Sequence, residues 1–194
     1  MVCCLLDQVP TLERLRLSSL DPAVIDEALI SALAKYPRLM PHLHLSVQSG
    51  NDMILKRMKR RHNRKKVADL CERIRRVRPD IVFGADLIAG FPTETDEMFE
   101  DTLKLVDEAG LTYLHVFPYS PREGTPAVNM PQVPIGLRKE RSKRLREKGN
   151  LANTIYFDQL RGSKAIVLIE EKGRGYTEHY APVQLSQKLE SGYI

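Results

Sequence analysis

Polar side chains alternate with apolar ones in the segment HLHLSVQSG, residues 42–50. This period of two predicts a short strand with one apolar and one polar face. The polar positions are His42, His44, Ser46 and Gln48. Their imidazole, hydroxyl and amide groups could hydrogen-bond a ligand. A turn signal and a helical pattern follow, and such a strand-to-helix corner is where parallel α/β folds bind ligands. The alternative is a strand whose polar residues face solvent or satisfy each other.

Metal binding is a second possibility for the two histidines. Two histidines on one strand face without a third ligand are more often structural, so no metal ligand is assigned. Of the 3 cysteines, Cys3 and Cys4 are adjacent and Cys71 lies in the apolar stripe of a predicted helix, which indicates a core residue. Because no C-x-x-C spacing occurs, we expect no zinc or iron–sulfur site built by this chain alone.

Two runs of basic residues suggest a surface for a polyanion. Residues 56–66 carry eight lysine or arginine side chains and no acid, and residues 138–148 carry a second run tempered by acids. The net charge of +5 agrees with a nucleic-acid partner. The alternative is a solvated charged face, which explains residues 138–148 equally well and residues 56–66 less well.

A lone carboxylate inside an apolar run is a further candidate. Residues 81–91, IVFGADLIAGF, are almost all apolar, which is typical of a strand buried on both faces of a parallel sheet. Asp86 is the only charged residue in this run. Burying a carboxylate is costly unless it is paired or hydrogen-bonded. Asp86 is therefore either a satisfied structural group or a site residue.

A repeating order of strands and helices must position these residues. Strands are predicted around residues 14–18, 42–48, 81–91 and 111–117. Helices are predicted at 2–9, from Asp21 with Val24 and Ile25 in its buried stripe, and at 52–59, 65–78, 95–109 and 135–160. Four βα units with short connections predict an α/β fold with a parallel sheet and right-handed crossovers. The sheet is either open or part of a barrel, since four strands cannot close a barrel by themselves.

The pattern changes after Gly162. A β-type run at 165–169, a turn at 173–175 and a return strand at 176–183 predict a hairpin that starts a small β module. The predicted division is therefore residues 1–161 for the α/β part and 162–194 for the module.

Neither a membrane span nor a signal peptide is predicted. No apolar run approaches the roughly 20 residues needed to cross a bilayer. The apolar start, residues 1–6, is too short for a signal peptide. The odd number of cysteines suits a reducing compartment, so a cytoplasmic location is expected.

Three motifs occur in a distinctive order: HLHLSVQSGNDMILKRMKRRH, DLIAGFPTET and LHVFPYSPREGTPA. Together they resemble the radical S-adenosylmethionine (SAM) methylthiotransferase family over about residues 5–185. The resemblance is greatest to the branch that adds a methylthio group to N6-threonylcarbamoyladenosine beside the tRNA anticodon. Ser46 and the LHVFPYS segment resemble that branch, because relatives acting on isopentenyladenosine or on a ribosomal protein usually have proline at this position.

The resemblance implies an architecture larger than this chain. The family has an N-terminal domain with one [4Fe-4S] cluster, a TIM-like partial barrel with a second cluster on a C-x3-C-x2-C loop, and a small TRAM-like β domain for RNA. This sequence has no C-x3-C-x2-C motif. We therefore expect a fragment of a larger transferase, a partial radical SAM barrel with a truncated β module, inactive by itself.

The resemblance also implies cofactors and site residues. In the family, a reduced cluster cleaves SAM, the resulting radical removes hydrogen from adenine, and sulfur and a methyl group are added. The residues expected to contact SAM are Ser18, Ser46, Gln48, Arg60, Asp86, Ile88 and Phe117. The residues expected to contact tRNA are Arg61, Tyr119 and Arg122. No catalytic residue is assigned.

Several alternatives remain open at the level of sequence. Ile88 and Phe117 are more often core residues than cofactor contacts, Ser18 could simply end a strand, and Arg60 and Arg61 are hard to tell apart. In place of the enzyme, the chain could be a non-catalytic RNA-binding α/β module or an isopentenyladenosine enzyme. An unrelated enzyme with a phosphate-bearing substrate ranks low, because no glycine-rich phosphate loop is present. The expected partner is a tRNA anticodon stem-loop, and open sheet edges could allow self-association, which a monomer in sedimentation would contradict.

Overall fold

Four parallel strands form the main sheet of the protein, which we describe from a computed structural model that covers residues 1–171, 173–186 and 190–192. The strands are β1 (Leu15–Leu20), β2 (Leu39–Gln48), β3 (Val82–Ala89) and β4 (Leu111–Pro118). They pair in sequence order, β1-β2-β3-β4, and every pairing is parallel. The predicted α/β fold with four parallel βα units is confirmed.

Six α-helices connect and flank these strands in the described part of the chain. They are α1 (Val2–Gln8), α2 (Glu27–Lys35), α3 (Asp52–Arg57), α4 (Arg64–Val77), α5 (Asp96–Glu108) and α6 (Ile135–Leu160). Local capping explains several starts: Asn51, Asn63 and Thr95 each accept a hydrogen bond from a backbone amide in the first turn of the following helix.

The predicted helix from Asp21 is wrong in its first turn. Residues Pro22–Val24 form a separate 3₁₀ turn capped by Asp21, and the α-helix begins only after Asp26. Asp26 accepts a hydrogen bond from the amide of Leu29, so it is the true N-cap. Val24 consequently points away from the core and is exposed, although the periodic pattern placed it in the buried stripe.

The hydrophobic core lies between one face of the sheet and the helices. Leu43, Leu45 and Val47 of β2 are fully buried there, as the alternating pattern predicts. They share one core cluster with apolar residues of α2, α4 and α5, including Leu33, Ile74 and Phe99. The polar residues of β2 are thereby directed to the opposite face, which we call the inner face.

A glycine permits the close approach of α5 to the end of β2. A Cβ atom on Gly50 would lie 2.6 Å from the carbonyl oxygen of Asp101 and from the Cα of Thr102. The amide of Gly50 donates a 2.9 Å hydrogen bond to the Thr102 hydroxyl. The turn after β2 is therefore fixed against α5, which holds the end of the strand in place.

The small module contains three antiparallel strands where a hairpin was predicted. They are β5 (Val167–Glu171), β6 (Arg174–Thr177) and β7 (Pro182–Gln184). The single return strand expected at 176–183 is wrong, because Tyr180 has φ of 65° and the chain turns between Thr177 and Ala181. The boundary near residue 162 stays a prediction, and residues 172, 187–189 and 193–194 of the predicted module lie outside the described residues.

Two arginines, Arg14 just before β1 and Arg16 within it, connect the main sheet to the small module. Arg14 donates to the backbone carbonyls of Ile166 and Tyr176, and Arg16 donates to those of Thr177 and Glu178. Guanidinium groups carry enough donors to bind several carbonyls at once. The module is thus held against the inner face near the start of β1.

Most of the basic side chains at residues 138–148 of α6 pair with acidic side chains of the same chain. Arg141 contacts Glu94 and Asp96, Arg144 contacts Glu100, and Lys148 contacts Asp107. These acids lie on or just before α5, so the two helices neutralise one another. The possibility of a polyanion-binding face at 138–148 is therefore not supported.

Within the described ranges, no helix is long and apolar enough to cross a membrane.

Candidate functional site

The inner face of the sheet carries most of the polar residues singled out from the sequence. Register places Ile88 beside Phe117 and Asp86 beside His115 on β3 and β4. On β2, His44 lies beside Gly84, and Gln48 lies beside Leu87 after a register shift. The carboxyl ends of the strands therefore bring residues from β2, β3 and β4 to one edge, as parallel packing requires.

A cleft of about 790 Å³ opens at this edge. Its lining combines cationic, carboxylate, amide and apolar side chains. The lining residues are Gln48, Arg57, Met58, Lys59, Arg60, Asp86, Ile88, Phe91, Phe117, Pro118, Tyr119, Ser120, Arg122, Thr125, Pro126, Ala127 and Met130. A volume of this size suits a cofactor-sized ligand.

Most of the residues predicted from sequence line this cleft. They are Gln48, Arg60, Asp86, Ile88, Phe117, Tyr119 and Arg122. Phe117 is 52% exposed, so it is a cleft wall and not a core residue. Ser18, Ser46 and Arg61 do not line the cleft. Contact with a ligand remains a prediction for every one of these residues.

Ser18 and Arg61 lie away from the cleft for different reasons. Ser18 sits on β1 between Leu17 and Leu20, which pair with Leu43 and Leu45, so it lies below the strand ends. Arg61 is exposed, its guanidinium lies 3.5 Å from Asp21, and it is not among the residues that line the cleft. Of the two neighbouring arginines, only Arg60 is in position to touch a ligand in the cleft.

Gln48 ends β2 in an unusual backbone conformation. Its φ of 71° is in the left-handed region, which non-glycine residues seldom adopt. Such backbone outliers are costly and are enriched at ligand sites. The conformation directs the Gln48 amide into the cleft while the chain turns towards α3.

Arg60 is held by a small network at the edge of the cleft. Its guanidinium donates a 2.6 Å hydrogen bond to the carbonyl oxygen of Ser46 and lies 3.9 Å from Asp21. Ser46 therefore contributes to the site through its backbone carbonyl, which holds the Arg60 guanidinium. Partial burial raises the pKa of Asp21, but the amide of Ala23 and the charge of Arg60 outweigh it, so the pKa lies below its usual range.

Two buried polar atoms of cleft residues lack a hydrogen-bond partner among the described residues. They are Nε of Arg60 and the hydroxyl of Tyr119. The Tyr119 ring is fixed by an edge contact with Phe91 and by the Arg138 guanidinium 5.5 Å from its centroid. Unpaired buried donors are costly, but both atoms have almost no accessible surface, so a ligand group would pair with them only after neighbouring side chains move.

Sequence reasoning missed several lining residues. Arg57 donates a 2.6 Å hydrogen bond to the Thr93 hydroxyl, and Lys59 ends the α3 turn with φ of 56°. Both belong to the predicted basic run, but nothing in its composition indicated which cations turn inward. The loop residues Thr125 to Ala127 and Met130 carried no signal beyond the turn-forming prolines.

The cysteines do not form a cluster site. Burial raises the pKa of the Cys71 thiol to about 12, and the residue belongs to the core. Cys3 and Cys4 lie on α1. In the described part of the chain, the residues that could hold a metal ion are His44, Asp86 and His115, with no cysteine among them. These residues do not fit a [4Fe-4S] cluster.

His42 lies on β2, on the same face as His44, in a buried aromatic contact. Its ring stacks on Tyr180 at 5.0 Å, and its Nε2 is buried without a partner among the described residues. Burial and the nearby charge of Arg16 lower the pKa of His42 to about 4. The unfolded chain should bind this proton near pH 6.5. Stability should therefore fall as pH falls from about 6.5 to about 4.

Replacing His42 with phenylalanine should remove that part of the pH dependence. Phenylalanine keeps the stack on Tyr180 but does not titrate. The lowered pKa of His42 corresponds to at most about 3 kcal/mol of stability. Urea unfolding of both proteins at pH 7.5 and 4.5 measures the difference, with His179→Gln as a control on a more exposed histidine. Equal losses in the native protein and the His42→Phe variant would contradict the assignment.

Comparison with known proteins agrees with the predicted resemblance. The sequence model of the radical SAM superfamily matches residues 11–106. The chain is 55% identical over its whole length to threonylcarbamoyladenosine tRNA methylthiotransferase MtaB of Rickettsia prowazekii and covers 46% of that protein. It is also 43% identical over 166 residues to tRNA-2-methylthio-N(6)-dimethylallyladenosine synthase of Erythrobacter litoralis, covering 85% of this chain and 37% of the relative. The chain thus spans less than half the length of these relatives.

A solved structure shares the fold. Coproporphyrinogen III oxidase (HemN) from Escherichia coli, described as a radical SAM enzyme, matches with a TM-score of 0.57 at 20% identity. The match covers 72% of this chain and 32% of that protein. From the superfamily match, the whole-length identity and the parallel sheet with its cleft, we conclude that the chain belongs to the radical SAM methylthiotransferase family.

Proposed function

We propose that this chain supplies the SAM-facing and tRNA-facing part of a methylthiotransferase that acts on N6-threonylcarbamoyladenosine in tRNA. The observation that carries the proposal is the cleft, because it gathers seven of the residues that the resemblance assigned. The 55% identity over the whole chain to a relative named for that activity supports the choice of substrate. We propose a cytoplasmic location, as expected for an enzyme that modifies tRNA.

The cleft residues fit the chemistry of SAM. Arg60, with Arg57 and Lys59 beside it, would hold the carboxylate through charge-assisted hydrogen bonds. Ile88 and Phe117 offer an apolar wall for adenine, and Gln48 would hydrogen-bond a polar group of the cofactor. One SAM molecule bound at this position would supply the hydrogen-abstracting group, and a second SAM molecule would supply the methyl group. The chain's own residues bind and orient it, and exclude water on the apolar side.

The iron–sulfur clusters of the family find no ligands among the described residues of this chain. We therefore assign the residues of this chain no part in the electron transfer at a cluster.

The tRNA would approach over exposed basic side chains in and near the cleft. Lys59 and Arg122 are exposed and line the cleft, and Lys56 is exposed on the neighbouring helix α3. Phosphate contacts of this kind give affinity that falls steeply with salt. Tyr119 also lines the cleft, and its ring would contact an unstacked base.

A second candidate substrate is N6-dimethylallyladenosine in tRNA, which is the same nucleoside as isopentenyladenosine. The identity of 43% to the Erythrobacter litoralis relative favours it. The identity is lower and the covered share of this chain is smaller than for the Rickettsia prowazekii relative, so this candidate ranks second. A non-catalytic RNA-binding module is the third possibility.

A chimeric enzyme would test the proposed reaction. The aligned segment of the Rickettsia prowazekii relative would be replaced with these 194 residues, and nucleosides of the modified tRNA analysed by mass spectrometry. We expect a methylthio group on N6-threonylcarbamoyladenosine. The product should be lost with Gln48→Ala and kept with Gln8→Ala, which alters an exposed glutamine on α1.

The nucleoside that gains the group distinguishes the candidates. A methylthio group only on dimethylallyladenosine would favour the second candidate. A folded chimera that binds tRNA but forms neither product would favour a non-catalytic RNA-binding module.

A further inference from the structure

Three potential metal ligands converge on the inner face below the cleft. Nε2 of His44 lies 3.0 Å from Oδ1 of Asp86, and Nδ1 of His115 lies 3.4 Å from the same oxygen. All three candidate ligand atoms lie within 4.8 Å of one another. The residues come from β2, β3 and β4, so each is held by a paired strand.

These separations match a metal site as well as a hydrogen-bonded group. With metal–ligand bonds of about 2.0–2.2 Å, adjacent donors of a tetrahedral ion lie roughly 3.3–3.5 Å apart. Small side-chain movements would bring the three donors to these distances. Of the two imidazoles, only His44 makes a hydrogen bond to Asp86, and the His115 nitrogen lies 3.4 Å from the same oxygen without one.

The surroundings leave the ligands room and an open side. Gly84 faces the His44 ring, and a Cβ atom there would lie 2.5 Å from Nδ1 of His44. Any side chain at this position would push the imidazole away from Asp86. The His115 side chain is 61% exposed, and Asp86 also lines the cleft. A bound ion would therefore keep a coordination position open towards the cleft.

We propose that His44, Asp86 and His115 bind a divalent transition metal, with zinc as the reference ion. Two imidazoles and one carboxylate with open positions form a ligand set used by borderline metals, unlike the thiolate set of an iron–sulfur cluster. The inference does not rest on SAM binding. It revises the sequence-based expectation of no metal ligand, because the fold adds Asp86 and His115 to a histidine that had lacked partners.

Titration of the full chain with Co²⁺, followed by competition with Zn²⁺, tests the proposal. Cys3→Ser and Cys4→Ser should be present throughout, because these adjacent thiols on α1 could bind either ion. We expect one equivalent of Co²⁺ with visible absorption of a low-coordinate site, displaced by Zn²⁺. His115→Gln and Asp86→Asn should each weaken binding at least tenfold.

Matched controls separate this site from nonspecific binding. His179→Gln removes another histidine that lies beside an aspartate, at 3.2 Å from Asp80, and should leave Co²⁺ affinity unchanged. Gly84→Ala should weaken binding by displacing His44 without removing any ligand. Circular dichroism would verify that each variant is folded. Failure to bind Co²⁺ or Zn²⁺ at millimolar concentration would overturn the proposal, as would binding that His115→Gln and Asp86→Asn leave unchanged.

Discussion

Replacing Arg141 with alanine should lower the free energy of unfolding by about 3–5 kcal/mol, since it leaves a buried carboxylate without its counter-charge. Arg141 is 2% exposed, and its guanidinium donates 2.9 and 3.0 Å hydrogen bonds to the side chain and backbone of Glu94. Glu94 is also buried, and its other partner is the amide of Gly90. Burial raises the pKa of Glu94, and the loss of Arg141 would raise it further.

Chemical denaturation at neutral pH measures this effect. Arg144→Ala is the matched control, because Arg144 pairs with Glu100 on the surface of the same two helices and should cost less than about 1 kcal/mol. The double change Arg141→Met with Glu94→Gln should recover part of the loss, since it leaves no buried charge. Equal costs for Arg141→Ala and Arg144→Ala would show that the buried pair does not join α5 and α6.

Gln48→Ala should weaken SAM binding at least tenfold, if the cleft is the cofactor site. Truncation removes an amide that would pair with a polar group of the bound cofactor, and leaving such a group unpaired costs about 1–3 kcal/mol. Gln48 is a cleaner probe than Arg60, whose guanidinium also holds the Ser46 carbonyl. Calorimetric titration measures the change, with Gln8→Ala as control. Unchanged affinity in a folded Gln48→Ala variant would remove Gln48 from the site.

Local pattern was sufficient to predict the fold. The alternation at residues 42–48 gave the correct buried face of β2, and the apolar run around Asp86 gave β3. These predictions succeed because strand periodicity depends on neighbours in sequence, and because alternating strands and helices with short connections favour parallel pairing. The prediction for the first turn after Asp21 was wrong for a local reason. Asp21 and Asp26 lie five residues apart, and each caps its own helical segment.

The candidate site was predicted less completely than the fold, because it depends on contacts between residues that are distant in sequence. The cations of α6 looked free in the sequence, yet their partners lie more than 40 residues earlier on and around α5. Nothing in the pattern of β4 indicates that His115 lies beside Asp86, because this neighbour is set by the pairing of β3 with β4. Arg60 and Arg61 could not be separated, since only the turn after α3 decides which one faces the cleft.

The most direct test of the account is calorimetric titration of the native 194-residue chain with SAM. We predict saturable binding of one equivalent, weak because the chain spans less than half of its relatives, and competed by S-adenosylhomocysteine. Absence of binding at millimolar SAM, with an anticodon stem-loop RNA still bound in a parallel titration, would contradict the claim that these strands form a cofactor site.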